Sequence, residues 1–371
     1  MLKRIFGILL VILSYSEAFA QVPPTSSADP IPVSEKRRST YFKVTADAVN
    51  SATTRNALLI ENALFSNRFG QGKSVHFDPV ANPTYRGAGI EWGMTIKHAS
   101  GFFRSNILVA ASALSASQAQ NNVSNQVGGF FAENSVTNYY FSDNKLATAR
   151  VGYYGDFLPF HNTNNSFLEK IGIRVGLEAY GNQIDLGSSL NNKSGSFSTF
   201  SPSKPGIDFF TSEKIKYSES TLNAVIGLNY EIEFAKKHKI NLGVEHFQSV
   251  YGNGNYENKT SGINSFGGGM IIPTSTKIHG EVTNKINGNR LFLGYAYSFT
   301  ETFSIRFTYG LTKAIHEVID SQVKDKPNAA AIVLGTGDAS SLLYSMANPM
   351  SANPRSVDSR NQFGLAFEFK F

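Results

Sequence analysis

Eight charged residues, Glu91, Arg104, Arg150, Arg174, Glu178, Glu231, Glu245 and Arg306, share one property of placement: each alternates with bulky apolar neighbours along an extended stretch. Successive side chains of a strand point to opposite faces, so these charges gather on the face away from the apolar one. Lys43, Lys97, Arg290, Lys370, Asp47, Glu233 and Glu368 repeat the pattern. Charges of both signs around a shared space support two kinds of chemistry. They can line a hydrated passage and tune which ions enter it, or they can pair and fill the space, because unpaired charge away from water is costly. The near balance of signs favours pairing.

Other chemistry is thinly represented. The chain has no cysteine, which removes disulfides, thiolate nucleophiles and Cys-ligated metals. His76, His279 and His316, with Glu281 and Glu317 near two of them, are residue types suited to acid-base or metal chemistry, but their spacing fixes no ligand geometry. They are read as solvated residues of connections, and no catalytic, cofactor-binding or metal-binding residue is assigned. Gly335-Thr336-Gly337-Asp338 and Gly252-Asn253-Gly254-Asn255 look like phosphate loops, yet neither links a strand to a helix, and both read as turns. The net charge of +6 has no Lys/Arg cluster beyond Lys36-Arg37-Arg38, which argues against nucleic acid as a partner.

The elements that must hold these charges are strands. From Phe363 to Phe371, bulky apolar residues fill the odd positions and small or charged residues the even ones. The same alternation runs through 40–50, 86–98, 102–114, 145–157, 169–181, 221–234, 240–246, 289–299 and 303–315, which predicts ten strands. Past His246 the phase is lost, which places a bulge or the end of the apolar band there. The connections 99–101, 158–168, 235–239 and 300–302 are short, while 51–85, 115–144, 182–217, 252–286 and 316–360 are long. Ile278, Gly280 and Val282, or the run 329–334, leave room for a further hairpin and twelve or more strands. Ala57 to Phe65 and Ala329 to Leu334 are too apolar to stand in water and are expected to pack as a cap or fold into a mouth. No window holds the ~20 consecutive apolar residues of a membrane-spanning helix.

Lys3 and Arg4, the apolar run Ile5 to Leu13 and Ala18-Phe19-Ala20 follow the plan of a secretory signal over residues 1–20. Residues 21–39 are rich in Pro and Ser and read as a disordered periplasmic lead-in, with 40–371 as the folded part. Together these features resemble a bacterial outer-membrane β-barrel: all-β, transmembrane and antiparallel, with about ten strands, short periplasmic turns and long extracellular loops. A mean hydropathy of −0.18 does not count against this, because a barrel shows lipid only alternate residues. Phe157, Phe234, Phe299, Phe303 and Phe371 then fall beside one rim as an aromatic girdle.

The last strand also resembles the signal read by the barrel-assembly machinery, departing from it at Gly364 and Ala366. The resemblance implies residence in the outer membrane of a diderm bacterium, with its lipids and that machinery as partners. It also implies no cofactor, and small solutes or extracellular ligands at the loops. The leading functional expectation is a porin-like passive channel or uptake protein for small solutes, with 51–85 and 316–360 restricting the opening. The alternative is a closed barrel scaffold presenting long loops for adhesion or partner binding. An outer-membrane barrel hydrolase ranks last, since no local motif resembles one, and the chain is read as a non-enzyme.

Overall fold

The computed structural model describes residues 38–68, 76–78, 84–98, 102–116, 119–126, 134–141, 143–160, 170–189, 212–234, 237–266, 270–323 and 354–371. The signal and lead-in up to residue 37, and the apolar run 329–334, lie outside them. In chain order the elements are β1 (Arg38–Asn50), α1 (Ala52–Arg68), β2 (His76–Asp78), β3 (Thr84–Lys97), β4 (Phe103–Ala116), β5 (Ala119–Gln126), β6 (Asn134–Phe141), β7 (Asp143–Phe157), β8 (Ile171–Ser189), β9 (Ser212–Phe234), β10 (His238–Phe266), β11 (Met270–Ser298), β12 (Phe303–Val323) and β13 (Arg355–Lys370).

Ten strands close into one antiparallel barrel in the order β1-β13-β12-β11-β10-β9-β8-β7-β4-β3, with β3 pairing back onto β1. Closure leaves no edge within the barrel wall, so backbone groups there bond to backbone on both sides, which a hydrocarbon surrounding requires. β2, β5 and β6 form a separate three-stranded sheet between barrel strands.

The alternation read from the sequence is the wall of this barrel. Ile90, Ile226, Leu228, Val244, Phe307 and Phe363 stand on the outer face, each more than half exposed. Burying such side chains yields about 25 cal/mol per Å² of apolar surface, so an exterior built this way belongs against lipid chains. At the short-turn end the girdle is continuous in patches. Phe157 meets Phe102 and Phe103, and Phe234 stacks on His238. His238 leads through Tyr297, Phe299 and Phe303 to Phe369, with ring centroids 4.9–5.9 Å apart throughout.

The structure corrects the expected boundaries at the other end. Of the stretches read from the sequence as long loops, 252–286 is in large part strand, and 182–189 and 212–217 belong to β8 and β9: β10 and β11 are each 29 residues long. A bilayer needs only about 9–11 residues per strand, so β9 to β12 rise well beyond it. Ile278, Gly280 and Val282 are part of β11 and add no further barrel strand. The lost phase past His246 is a bulge: the register shifts between Ser249 and Tyr251 against β9 and between Gln248 and Asn253 against β11, after which β10 continues. Arg38 and Ser39, assigned above to the lead-in, pair within the wall. Connection 51–85 contains α1, whose Ala57, Leu58 and Ile60 are buried inside the mouth. Their core includes Tyr85, Leu114, Leu146, Ile184, Ile215, Tyr217, Tyr256 and Val318.

Leu228→Arg places a charge on the lipid-facing side and should lower stability by about 2–4 kcal/mol. Denaturant unfolding in phospholipid vesicles measures this, and an unchanged midpoint would contradict the lipid-facing assignment.

Candidate functional site

Inside the barrel the charges meet as a chain of alternating sign. Lys43 Nζ lies 2.8 Å from Glu91, which receives Arg150 at 3.1 Å. Arg150 approaches Glu178 at 3.8 Å, and Glu178 receives Arg290 at 3.2 Å. Arg290 also holds Glu245 at 2.7 Å; Arg174 joins Glu245 at 2.8 Å to Asp156 at 2.7 Å. Four cations and four anions thus neutralise one another. Tyr41 and Tyr154 donate hydrogen bonds to Glu91 and Glu178, and Asn106 and Asn229 donate to Asp156. Arg174 also lies over the Tyr154 ring and Arg290 over that of Phe247, 5.2 and 5.0 Å from the centroids.

Register explains most of this. Lys43 is directly opposite Glu91, Asp156 opposite Arg174, and Glu245 opposite Arg290. The longer links cross a small residue. Glu91 and Arg150 flank Ala110 in one cross-strand row, and Glu245 and Arg174 flank Gly227 in another. Gly227 is required there: a Cβ would sit 2.5 Å from the Val244 carbonyl oxygen and 2.9 Å from Cγ of Glu245, the side chain that pairs with Arg174.

Two further layers bracket the chain. Towards the short turns, Glu231 takes Lys239 at 3.2 Å and Arg104 at 3.5 Å, Glu233 takes Lys239 at 3.0 Å, and Glu368 takes Arg306 at 2.7 Å. On the other side, Arg360 of β13 binds Asp47 of β1 at 2.6 Å and donates to Ser112 and Thr148. Above that, the first turn of α1 docks on buried polar groups. Ser51 Oγ accepts from Thr54 N–H as an N-cap, while Asp358 accepts from Ala52 N–H at 3.1 Å. Glu219 accepts from Thr53 Oγ1 and faces His316 Nδ1 at 2.7 Å; both Glu219 and His316 are 1 % exposed.

All eight sequence candidates, Glu91, Arg104, Arg150, Arg174, Glu178, Glu231, Glu245 and Arg306, line this lumen, and each is in an ion pair. Asp156 and Tyr154 were missed although they continue the even phase of Arg150. Arg360 and Asp358 likewise continue the even phase of β13 above Gly364. His316 and Glu317, expected in a solvated connection, belong to β12, where even-numbered His316 points inward. His279 and Glu281 belong to β11 and His76 to β2. Among the described residues, no group of three or more His, Asp or Glu is arranged to hold a metal.

An antiparallel wall closed on itself, apolar outside and ion-paired within, decides the class. The chain is an outer-membrane-type β-barrel. No protein-family model matches it, and no curated protein sequence does. Three solved structures resemble it at a distance. The outer-membrane protease OmpT from Escherichia coli is 10% identical, with 93% of this chain and 100% of that chain covered and a TM-score of 0.43. The Pseudomonas putida toluene transporter TodX is 9% identical, with 90% and 89% covered and a TM-score of 0.32. The β-domain of the Bordetella autotransporter BrkA is 8% identical, with 90% and 100% covered and a TM-score of 0.35. At such values no activity passes from them to this barrel.

Removing one member of the chain should strand its neighbours. Arg290→Met leaves Glu178 and Glu245 each short of a cation and should cost about 3–5 kcal/mol. Equilibrium unfolding of the refolded barrel checks this, and a loss below 1 kcal/mol would show that the pairs carry little.

Proposed function

We propose that this protein is a closed barrel of the bacterial outer membrane, with its short turns in the periplasm, that acts as a rigid scaffold presenting the β9–β12 extension for partner binding outside the cell. One observation carries the reading: the charge chain from Lys43 to Asp156 crosses the lumen, from Glu178 of β8 to Arg290 of β11, beneath the buried core that holds α1. A passive channel needs a continuous aqueous path; the paired charges reach across it, and the core that holds α1 lies over the lumenal cavity of about 480 Å³ that runs from Lys97 to Asp358. The extension supports the presenting role. Beyond Gly280, β11 pairs only with β10 among the described residues, and a strand edge of this kind is a template for added strands or docked loops.

Planar-bilayer recording of refolded residues 21–371 should show no steady conductance. Replacing residues 52–68 with a Gly/Ser linker should leave it silent, because the charge chain lies below. Steady conductance of the unaltered protein would overturn the closed-scaffold reading and restore the channel.

A further inference from the structure

Two kinds of contact hold α1 in the mouth of the barrel, and one of them is titratable. Ala57, Leu58 and Ile60 of α1 pack into the apolar core of the mouth. The first turn rests instead on carboxylates from two strands. Ala52 N–H donates to Asp358 Oδ1 of β13 at 3.1 Å, and Thr53 Oγ1 donates to Glu219 Oε2 of β9 at 3.2 Å. A helix N-terminus favours negative charge beneath it, so both carboxylates suit the place. They are also far from water, Glu219 being 1 % exposed and Asp358 4 %.

The cation that offsets them is His316 of β12, whose Nδ1 lies 2.7 Å from Glu219 Oε2. α1 reaches this residue as well, since Asn56 Nδ2 donates to the His316 carbonyl at 3.3 Å. Two other charged groups stand at this level. Arg360 of β13 is held by Asp47 of β1 at 2.6 Å, and Arg55 of α1 is exposed. Neutral side chains complete the surroundings: Tyr217 of β9 beside Glu219, Tyr180 of β8 near Asp358, Asn182 of β8 donating to Thr53 Oγ1, and Tyr85 of β3 accepting from Thr54 Oγ1. His316, Asp358 and Arg360 also line the lumenal cavity, so the pair borders the lumen and exchanges protons with it.

Histidine is the side chain whose charge ordinarily changes near neutral pH. While His316 is protonated it balances Glu219. Once it loses the proton its ring still donates one hydrogen bond, but Glu219 and Asp358 are left under α1 with no cation of their own, which is costly for buried charge. The partial charge of the helix N-terminus offsets only a small part of that cost. Water offsets far more, and it reaches the carboxylates when the first turn lifts. We propose that α1 is a pH-sensitive lid, seated while the His316–Glu219 ion pair is intact and lifted from the wall of the mouth as rising pH removes it. Lifting uncovers apolar inner wall, including Ile184, Ile215, Tyr217 and Val318, so the surface offered by the extension changes with pH. The switch does not depend on whether the barrel conducts.

The chain has no cysteine, so a single introduced one reports the lid. Ala57→Cys places it at a fully buried position of α1, and Thr283→Cys, at an exposed position of β11, is the reference for the thiol's own pH dependence. In refolded residues 21–371, the alkylation rate at residue 57 relative to residue 283 should rise about tenfold between about pH 5.5 and about pH 8, where histidine titrates. In a His316→Gln background the relative rate should be high at every pH, because the cation is gone. In a Glu219→Gln background it should be low at every pH, because that carboxylate is no longer there to be stranded. A merely structural pair would loosen α1 in both. Heat-modifiable gel mobility confirms folding; if Ala57→Cys does not fold, Leu58→Cys takes its place, and if His316→Gln does not, Glu219→Gln decides alone. A flat, low profile in the otherwise unaltered protein, or one profile shared by all backgrounds, would overturn the proposal.

Discussion

A charge inside a narrow closed sheet has few ways to be solvated, and the interior of this barrel is organised by that scarcity. Lys43, Arg150, Arg290 and Arg174 each sit between carboxylates, or beside one, at 2.7–3.8 Å. Taking an ion out of water costs several kcal/mol even after relaxation, so each partner is a condition for the next. The small residues at Ala110 and Gly227 and the hydrogen bonds from Tyr41 and Tyr154 all serve to keep the chain unbroken. The exterior obeys a simpler rule, since lipid asks only that alternate residues be apolar and that no backbone group be left unbonded.

The two rules differ in how far they can be read from sequence. A period of two survives in any window, so Leu222 to Phe234 and Phe363 to Phe371 announce both their strands and their lipid faces. The inward charges follow by parity, which is why Glu91, Arg150 and Glu245 can be named without coordinates. Which charge meets which cannot be named in this way. The bond from Glu178 to Arg290 joins residues 112 positions apart across the lumen, and local pattern holds no trace of it.

Parity also fails where lipid stops selecting for it. Beyond the bilayer the outer face of β9 to β11 turns to Lys214, Lys216, Lys259 and Lys277, paired with Asp185 and Glu257, and a polar outer face reads as loop. Glu257 is half-buried in this region, and a hydrogen bond from exposed Lys259 holds its carboxyl below its ordinary value. The inner face of β8, β9 and β11, with Ile184, Ile215, Tyr217 and Ile278, does alternate. It alternates in the opposite sense to the membrane band, with the apolar residues inside because they cover α1. A reader looking for apolar-out strands passes over apolar-in ones.

The bond from Arg360 to Asp47 has a consequence for how the barrel comes into being. It ties β13 to β1 across the seam, between residues 313 positions apart, and the same guanidinium reaches Ser112 on β4 and Thr148 on β7. No partly wound sheet can make it, because both sides of the seam must already be in place. Loop-closure entropy is lost before such distant contacts return anything. The clasp therefore forms only in the closed barrel: it is a latch across the seam, added to the backbone ladder that already joins β1 to β13.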